Sequence, residues 1–445
     1  MTRLTELSIY PEAKLTANEL LDFLSASPTA WQAVARAEEE LQAAGFIRYE
    51  QAEKLSLKTG DKGYFVQNGS ALLAFQIGRD PLKQGFRIFG AHSDSPALKL
   101  KPQVISPSEG VNRLAVEVYG GPLLNTFFDR PLSLAGRVSL KSDNPLKPQV
   151  RLVDFKRPLL ILPNLAIHMG NTSNEGLKIE RQKDILPFIS LQGENDEVDH
   201  DLLRKLLAEE LDVDFDTILD YELLTYEAAP PSFCGLDDCF ISAGRLDNLS
   251  MFKAGLDALI HNGQAEDPGT GIKVLLITDN EEVGSRTKQG AAGLFARDLL
   301  ERLALALGAD RADFLASFAN SFMISADLAH AVHPNYPEKA DPGHRPRLNQ
   351  GPVIKQAASQ SYSSDAYSSS AFRQLATAAG VPCQTFVNRS DLRGGSTIGP
   401  ISSALLPMPT VDCGNAIWGM HSIRETGGVL DPYYMEQLVR YFYSL

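Results

Sequence analysis

The chain has 445 residues, longer than one ordinary hydrophobic core usually grows, so a large α/β domain with a second domain or a substantial insertion is expected. With 44% hydrophobic and 22% charged residues, and no run near the roughly 20 apolar residues of a spanning helix, the composition is that of a soluble globular protein. A formal charge of −13 without any Lys/Arg cluster argues against nucleic-acid partners. The four cysteines Cys234, Cys239, Cys383 and Cys413 are too few to staple such a chain and are expected to be buried thiols. The first residues, MTRLTELSIYPEAK, show no basic segment followed by an apolar stretch and a cleavage site, so a cytoplasmic location is expected.

In chain order, two helices are predicted first, over Asn18 to Leu24 and Thr29 to Ala44, the second stopping at Gly45. Phe65 to Gln76 and Phe86 to Phe89 have strand patterns, and the latter runs into Gly90-Ala91-His92-Ser93-Asp94-Ser95-Pro96. Polar residues after a buried strand stand at its carboxyl end, where open α/β sheets place ligands. From about Ile105 to Pro231, alternating segments such as Leu114-Ala115-Val116-Glu117-Val118 are separated by Gly and Pro, which predicts an inserted β-rich domain. The expected division is therefore residues 1–104 and 232–445 for one α/β domain and 105–231 for the insert. A helix follows Asp247, carried by Leu249, Phe252, Leu256 and Leu259; the apolar strands Val274-Leu275-Leu276-Ile277 and Phe322-Met323-Ile324 come next. The serine-rich stretch from Ser359 to Ser370 is expected to be a polar loop.

Three strand ends deliver acids or a histidine: His92 with Asp94, Glu281 with Glu282, and Asp327. A fourth acid, Asp247, comes from a loop entering a helix. A single Asp at such a place is more often a helix cap, and a single His more often a satisfied core residue. Several carboxylates at one sheet edge repel unless protonated or neutralised, and a pair of divalent cations resolves that conflict. Imidazole and carboxylate ligands suit zinc, with cobalt or manganese as relatives. In the adjacent pair Glu281-Glu282, one carboxylate is free to bind metal while the other faces the reacting water as general base.

The chain resembles the aspartyl aminopeptidase family, which includes vacuolar aminopeptidase I. The resemblance rests on the His92 block quoted above, Arg245-Leu246-Asp247-Asn248-Leu249, Asp279-Asn280-Glu281-Glu282-Val283-Gly284-Ser285, the block from Ser325 to Tyr336, Gly351-Pro352-Val353-Ile354-Lys355, and Met420-His421-Ser422-Ile423-Arg424-Glu425. It implies a zinc aminopeptidase in which His92 and Asp327 bind one ion, Glu282 and His421 the other, and Asp247 bridges them, with Asp94 orienting His92 and Glu281 as base. It implies a phosphorylase-like mixed-sheet α/β catalytic domain, a β-rich dimerisation insert, and a homo-oligomer, a dodecamer built from dimers. His168 would reach a neighbouring subunit's site to contact substrate, with direct metal ligation as the alternative. His330 would line the site, and Lys355 would receive an acidic N-terminal side chain of a free-amine peptide.

The segment from Asn388 to Gly399 departs from the family's turn at that place, and its Arg389 and Arg393 are alternatives to Lys355 or would redirect selectivity. The competing functions are an aminopeptidase of neutral or basic specificity, a dinuclear N-acyl amino acid deacylase, and a metal-stabilised assembly protein that would not need Glu281. No membrane partner is expected.

Overall fold

The structure, a computed structural model, describes residues 4–169, 176, 178–193, 197–392 and 394–445. It comprises two compact units: the residues up to Asp94 with Pro231–Met420 and Glu425–Leu445, and Ser95–Pro230 with His421–Arg424. It is a mixed α/β fold with several sheets. Among the described residues no helix is long and apolar enough to cross a membrane.

The first unit is built on a nine-stranded mixed sheet. Its centre is four mutually parallel strands, Ile272–Thr278, Phe86–His92, Phe322–Ala326 and Thr410–Gly414, in that order. The first two are fully or almost fully buried along their length, as expected for strands covered on both faces. Parallel pairing aligns their carboxyl ends: Thr278 is opposite His92, and Ser325 is opposite Asp412. The residues that follow these strands therefore share one edge. Two antiparallel strands, Lys62–Gln67 and Ala71–Ile77, extend the sheet on one side. A single strand over Phe65 to Gln76 was expected; Asn68 and Gly69, both at positive φ, instead turn the chain into a hairpin, the role Asn-Gly pairs favour.

The helix Leu246–Gly263 packs on this sheet, with Leu249, Phe252, Leu256 and Leu259 all fully buried. Gly255 makes the approach close. A Cβ there would stand 2.5 Å from the Phe89 ring and 2.7 Å from Leu275 Cδ1. Because the helix starts beside Asp247, this contact also sets where that carboxylate sits. The stretch expected to be a serine loop is partly helix: Asp365 caps Ala366–Ala378 by accepting the Ser368 N–H, and the Ser368 hydroxyl pairs back with the Asp365 N–H. The cysteines also differ from expectation, since only Cys413 is buried while Cys234 is exposed.

The second unit is a seven-stranded antiparallel sheet that closes on itself, because Ile218–Glu227 pairs with both Ala97–Ser108 and Pro131–Leu140. Inward residues such as Leu98, Leu114, Leu134 and Leu223 fill it. The helix Leu202–Leu211 adds Leu203, Leu207 and Leu211, spaced at four residues along one helical face.

Gly255→Val is expected to destabilise the protein by about 1–3 kcal/mol through overpacking against Phe89 and Leu275. Denaturant titration of the purified variant checks this, and an unchanged midpoint would show that the helix has room to shift.

Candidate metal centre

His92 is the last residue of the strand Phe86–His92 and is almost wholly buried. Its Nδ1 faces Asp94, 3.3 Å from the carboxylate and 3.1 Å from the backbone carbonyl. That orientation turns Nε2 toward Asp247 Oδ1 at 3.6 Å and Asp327 Oδ1 at 3.8 Å. One ligand atom each from His92, Asp247 and Asp327 lies within 4.8 Å of the others, and the same holds for His92, Glu281 and Glu282.

The turn carrying the two glutamates is built by Asp94. Past the strand Ile272–Thr278, Asn280 adopts a left-handed backbone that Asn tolerates, and its side-chain oxygen accepts from Thr287 Oγ1 and Gln289 Nε2, each at 2.9 Å. A single 3₁₀ turn, Glu281–Val283, follows. The N–H groups of Glu281 and Glu282 donate to Asp94 Oδ1 and Oδ2, each at 3.1 Å. Asp94 is thus an anchor common to His92 and to the glutamate turn.

Asp247 stands at the start of its helix, preceding a cis peptide to Asn248. Its N–H donates to the buried carboxylate of Glu425 at 3.0 Å, and Asn248 Nδ2 donates to the Ala326 carbonyl at 2.8 Å. Asp327 follows the strand Phe322–Ala326, with its N–H donating to the Cys413 carbonyl at 2.8 Å. Its Oδ2 lies 3.3 Å from Lys355 Nζ, which also donates to the Leu328 carbonyl at 3.1 Å and stands over the Tyr362 ring. Lys355 is only 3% exposed.

The electrostatics follow from this crowding. Burial alone would lower the His92 pKa, but hydrogen bonding to Asp247, Asp327 and Asp94 raises it well above the usual imidazole range. Burial pushes the Glu281 carboxyl up to about 7, opposed by His92 and reinforced by Asp327, Asp247 and Asp94. Burial would lower Lys355 as well, and the carboxylate of Asp327 raises it. An imidazole nitrogen and several carboxylate oxygens converging in a buried space form a donor set that fits a zinc-type divalent cation.

The chain matches, over residues 23–443, the family model described as "Aminopeptidase I zinc metalloprotease (M18)". It belongs to the M18 aminopeptidase family. A "Probable M18 family aminopeptidase 2" of Clostridium novyi (strain NT) is 48% identical over 431 residues, covering 96% of this chain and 98% of the relative. The structure is similar to a chain of an Ape4–Nbr1 complex, with TM-score 0.94 and 35% identity, covering 97% of this chain and 86% of that one. It is also similar to the S. cerevisiae mApe1 dodecamer, with TM-score 0.84 and 25% identity over 97% of each chain. This chain is accordingly an M18 zinc aminopeptidase, related along almost its whole length to the proteins it matches.

The remaining candidate residues of the M18 enzyme lie as follows. His421 belongs to the second unit, where its Nδ1 is 3.1 Å from the Gly121 carbonyl and its own carbonyl accepts the Leu123 N–H at 2.9 Å. His168, also in the second unit, is exposed in a short 3₁₀ turn, Ile167–Met169, so it is not a core residue. His330 is exposed three residues past Asp327, its ring 6.0 Å from that of Phe386. Arg389 pairs with Asp391 at 2.9 and 2.8 Å and donates to the Glu338 carbonyl. Arg393 lies outside the described residues.

Two contributions escaped the sequence reasoning. Glu425 was quoted within a motif without a role; its hold on the Asp247 N–H depends on strand pairing that no local pattern reveals. The buried Asp412 accepts from Ser325 Oγ and Thr397 Oγ1, each at 2.6 Å, and from the Ser363 hydroxyl at 2.6 Å. It binds the serine segment to the strand that leads to Asp327.

Asp94→Ala is expected to release the Glu281 and Glu282 amides. Because each donates to a charged acceptor, their hydrogen-exchange protection should fall by about tenfold or more. Residue-resolved exchange measures this, and unchanged protection would mean that the turn holds without Asp94.

Proposed function

We propose that this M18 enzyme removes acidic residues, Asp or Glu, from the N-termini of peptides at a dinuclear zinc centre. The observation carrying the proposal is the buried convergence of His92, Asp247 and Asp327, with Glu281 and Glu282 beside the same imidazole. In this reading His92 and Asp327 hold one ion, Glu282 and His421 the other, and Asp247 both. When bound, such ions lower the pKa of a water and polarise the scissile carbonyl. Glu281 accepts the water's proton and passes it to the leaving nitrogen; its placement on the turn anchored by Asp94 keeps that carboxylate beside His92.

The acidic preference rests on Lys355. A site lined by carboxylates repels an acidic side chain unless a cation is present, and Lys355 is a buried cation against Asp327. Arg389, engaged with Asp391 as Lys355 is with Asp327, is the alternative cation.

The second unit is assigned the assembly role, and His168 a contact with substrate in a neighbouring subunit. Exposed apolar side chains around it, Leu165 (52%), Ile167 (56%) and Met169 (70%), support an interface there, since contiguous exposed apolar surface marks association. The dodecameric relative supports an assembly of twelve subunits, for which the family resemblance implies dimers as building blocks.

The test is kcat/KM on matched free-amine Asp-, Glu-, Leu- and Lys-peptides and on an N-acetylated Asp-peptide. Wild type is expected to favour the free-amine acidic peptides. Lys355→Met should lower the Asp-to-Leu ratio by roughly ten- to a hundredfold, the loss of one charge-assisted contact. Faster cleavage of Leu- or Lys-peptides by wild type would refute the acidic preference, and faster cleavage of the acetylated peptide would refute the aminopeptidase reading.

A further inference from the structure

In the first unit, at the far edge of the nine-stranded sheet, an open cavity of about 440 Å³ lies beside the edge strand Gln384–Val387. It is lined by His344, Arg345, Gln356, Arg373, Gln384 and Thr385, with Gly343 and Pro346. None of these belongs to the metal centre described above. Among the described residues none that lines it is acidic, in a chain whose formal charge is −13.

The two guanidiniums give the cavity its character. Among the described residues neither Arg345 nor Arg373 pairs with a carboxylate, whereas Arg130, Arg137 and Arg424 each do. An arginine without a carboxylate keeps its planar fork of donors available for an anion. The acid nearest in sequence, Asp341, is engaged by His344 Nδ1 at 2.8 Å and by the Gly343 N–H at 2.9 Å, which fixes the imidazole at the cavity wall.

The wall is also held in place. Arg373, on the helix Ala366–Ala378, donates through Nη2 to Thr385 Oγ1 at 2.8 Å, tying helix to edge strand. The Gln384 amide accepts from the Arg347 N–H at 2.8 Å and donates to the carbonyls of Arg347 and Gly351 at 2.9 and 3.1 Å. Gln356 Nε2 donates to Ser369 Oγ at 3.0 Å. Arg373, Gln384 and Gln356 are fixed in this way and lose less entropy on binding, while Arg345 is exposed and closes on the ligand from the surface.

We propose that this cavity binds a small anion carrying two or more negative charges, a phosphate group or a dicarboxylate, separately from the metal centre. Two guanidiniums beside a space of small-molecule size match such a ligand in charge, and a guanidinium fork can hold it through paired N–H donors. The cavity adjoins the site through one residue of backbone: Gln356 lines the cavity and its neighbour Lys355 contacts Asp327 from the opposite face of the strand Val353–Gln356.

Calorimetric titration of the zinc-loaded full chain with inorganic phosphate and, separately, with succinate at matched ionic strength tests the proposal and tells the two anion types apart. Saturable millimolar or tighter binding of either anion is expected, weakened on the order of tenfold or more for each guanidinium removed in Arg345→Gln/Arg373→Gln. Peptidase activity without added anion should be unchanged in that variant. The single variants Arg345→Gln and Arg373→Gln serve if the double variant misfolds, each weakening binding. Binding retained at full strength in the variants would place the anion at the metal centre or on the general surface and overturn the proposal. Absence of saturable binding of both anions to wild type would overturn it too.

Discussion

Like charges forced together in a buried space are the constraint on which the first unit is organised. Asp247 and Asp327 lie on the same side of the His92 imidazole, with Glu281 and Glu282 close by, so the arrangement is costly until cations are present. The fold imposes it by parallel pairing. Three of the acidic segments follow the strands Phe86–His92, Ile272–Thr278 and Phe322–Ala326, whose register brings their carboxyl ends level. The fourth comes from a helix that Gly255 allows to lie against Phe89 and Leu275.

Around the converging carboxylates, hydrogen bonds fix direction as well as position. Asp94 faces Nδ1 of His92 and accepts both amides of the glutamate turn; Glu425 accepts the Asp247 amide; Lys355 lies against the second oxygen of Asp327. Such groups set ligand orientation and basicity, and through them the reactivity of a metal site. In the proposed function Glu281 is the carboxylate assigned the separate task of taking a proton from water beside the ions.

Much of this was legible in the sequence, for local reasons. The apolar runs before His92 and Asp327 mark buried strands, and polar residues after such strands fall at a ligand-binding edge. The helix after Asp247 announces itself by Leu249, Phe252, Leu256 and Leu259. Resemblance to a known family supplied the proposed pairing of ligands with ions, which no spacing could. What stayed hidden depends on contacts remote in sequence: Glu425 against Asp247, Asp412 against Ser325 and Thr397, and the two arginines at the edge cavity. Two local misreadings have equally local causes. The Asn68-Gly69 turn is hidden in an apolar stretch that reads as one strand, and the Asp365 capping box is hidden in a serine-rich segment that reads as loop.

The central claim is that this carboxylate cluster holds two ions while Glu281 holds neither and moves the proton. It is tested most directly by measuring metal content and turnover on one preparation of Glu281→Gln. The account predicts two zinc ions per chain, as in wild type, with turnover lower by about 10²- to 10⁴-fold. Near-normal turnover with both ions bound, or loss of an ion in this variant, would contradict it.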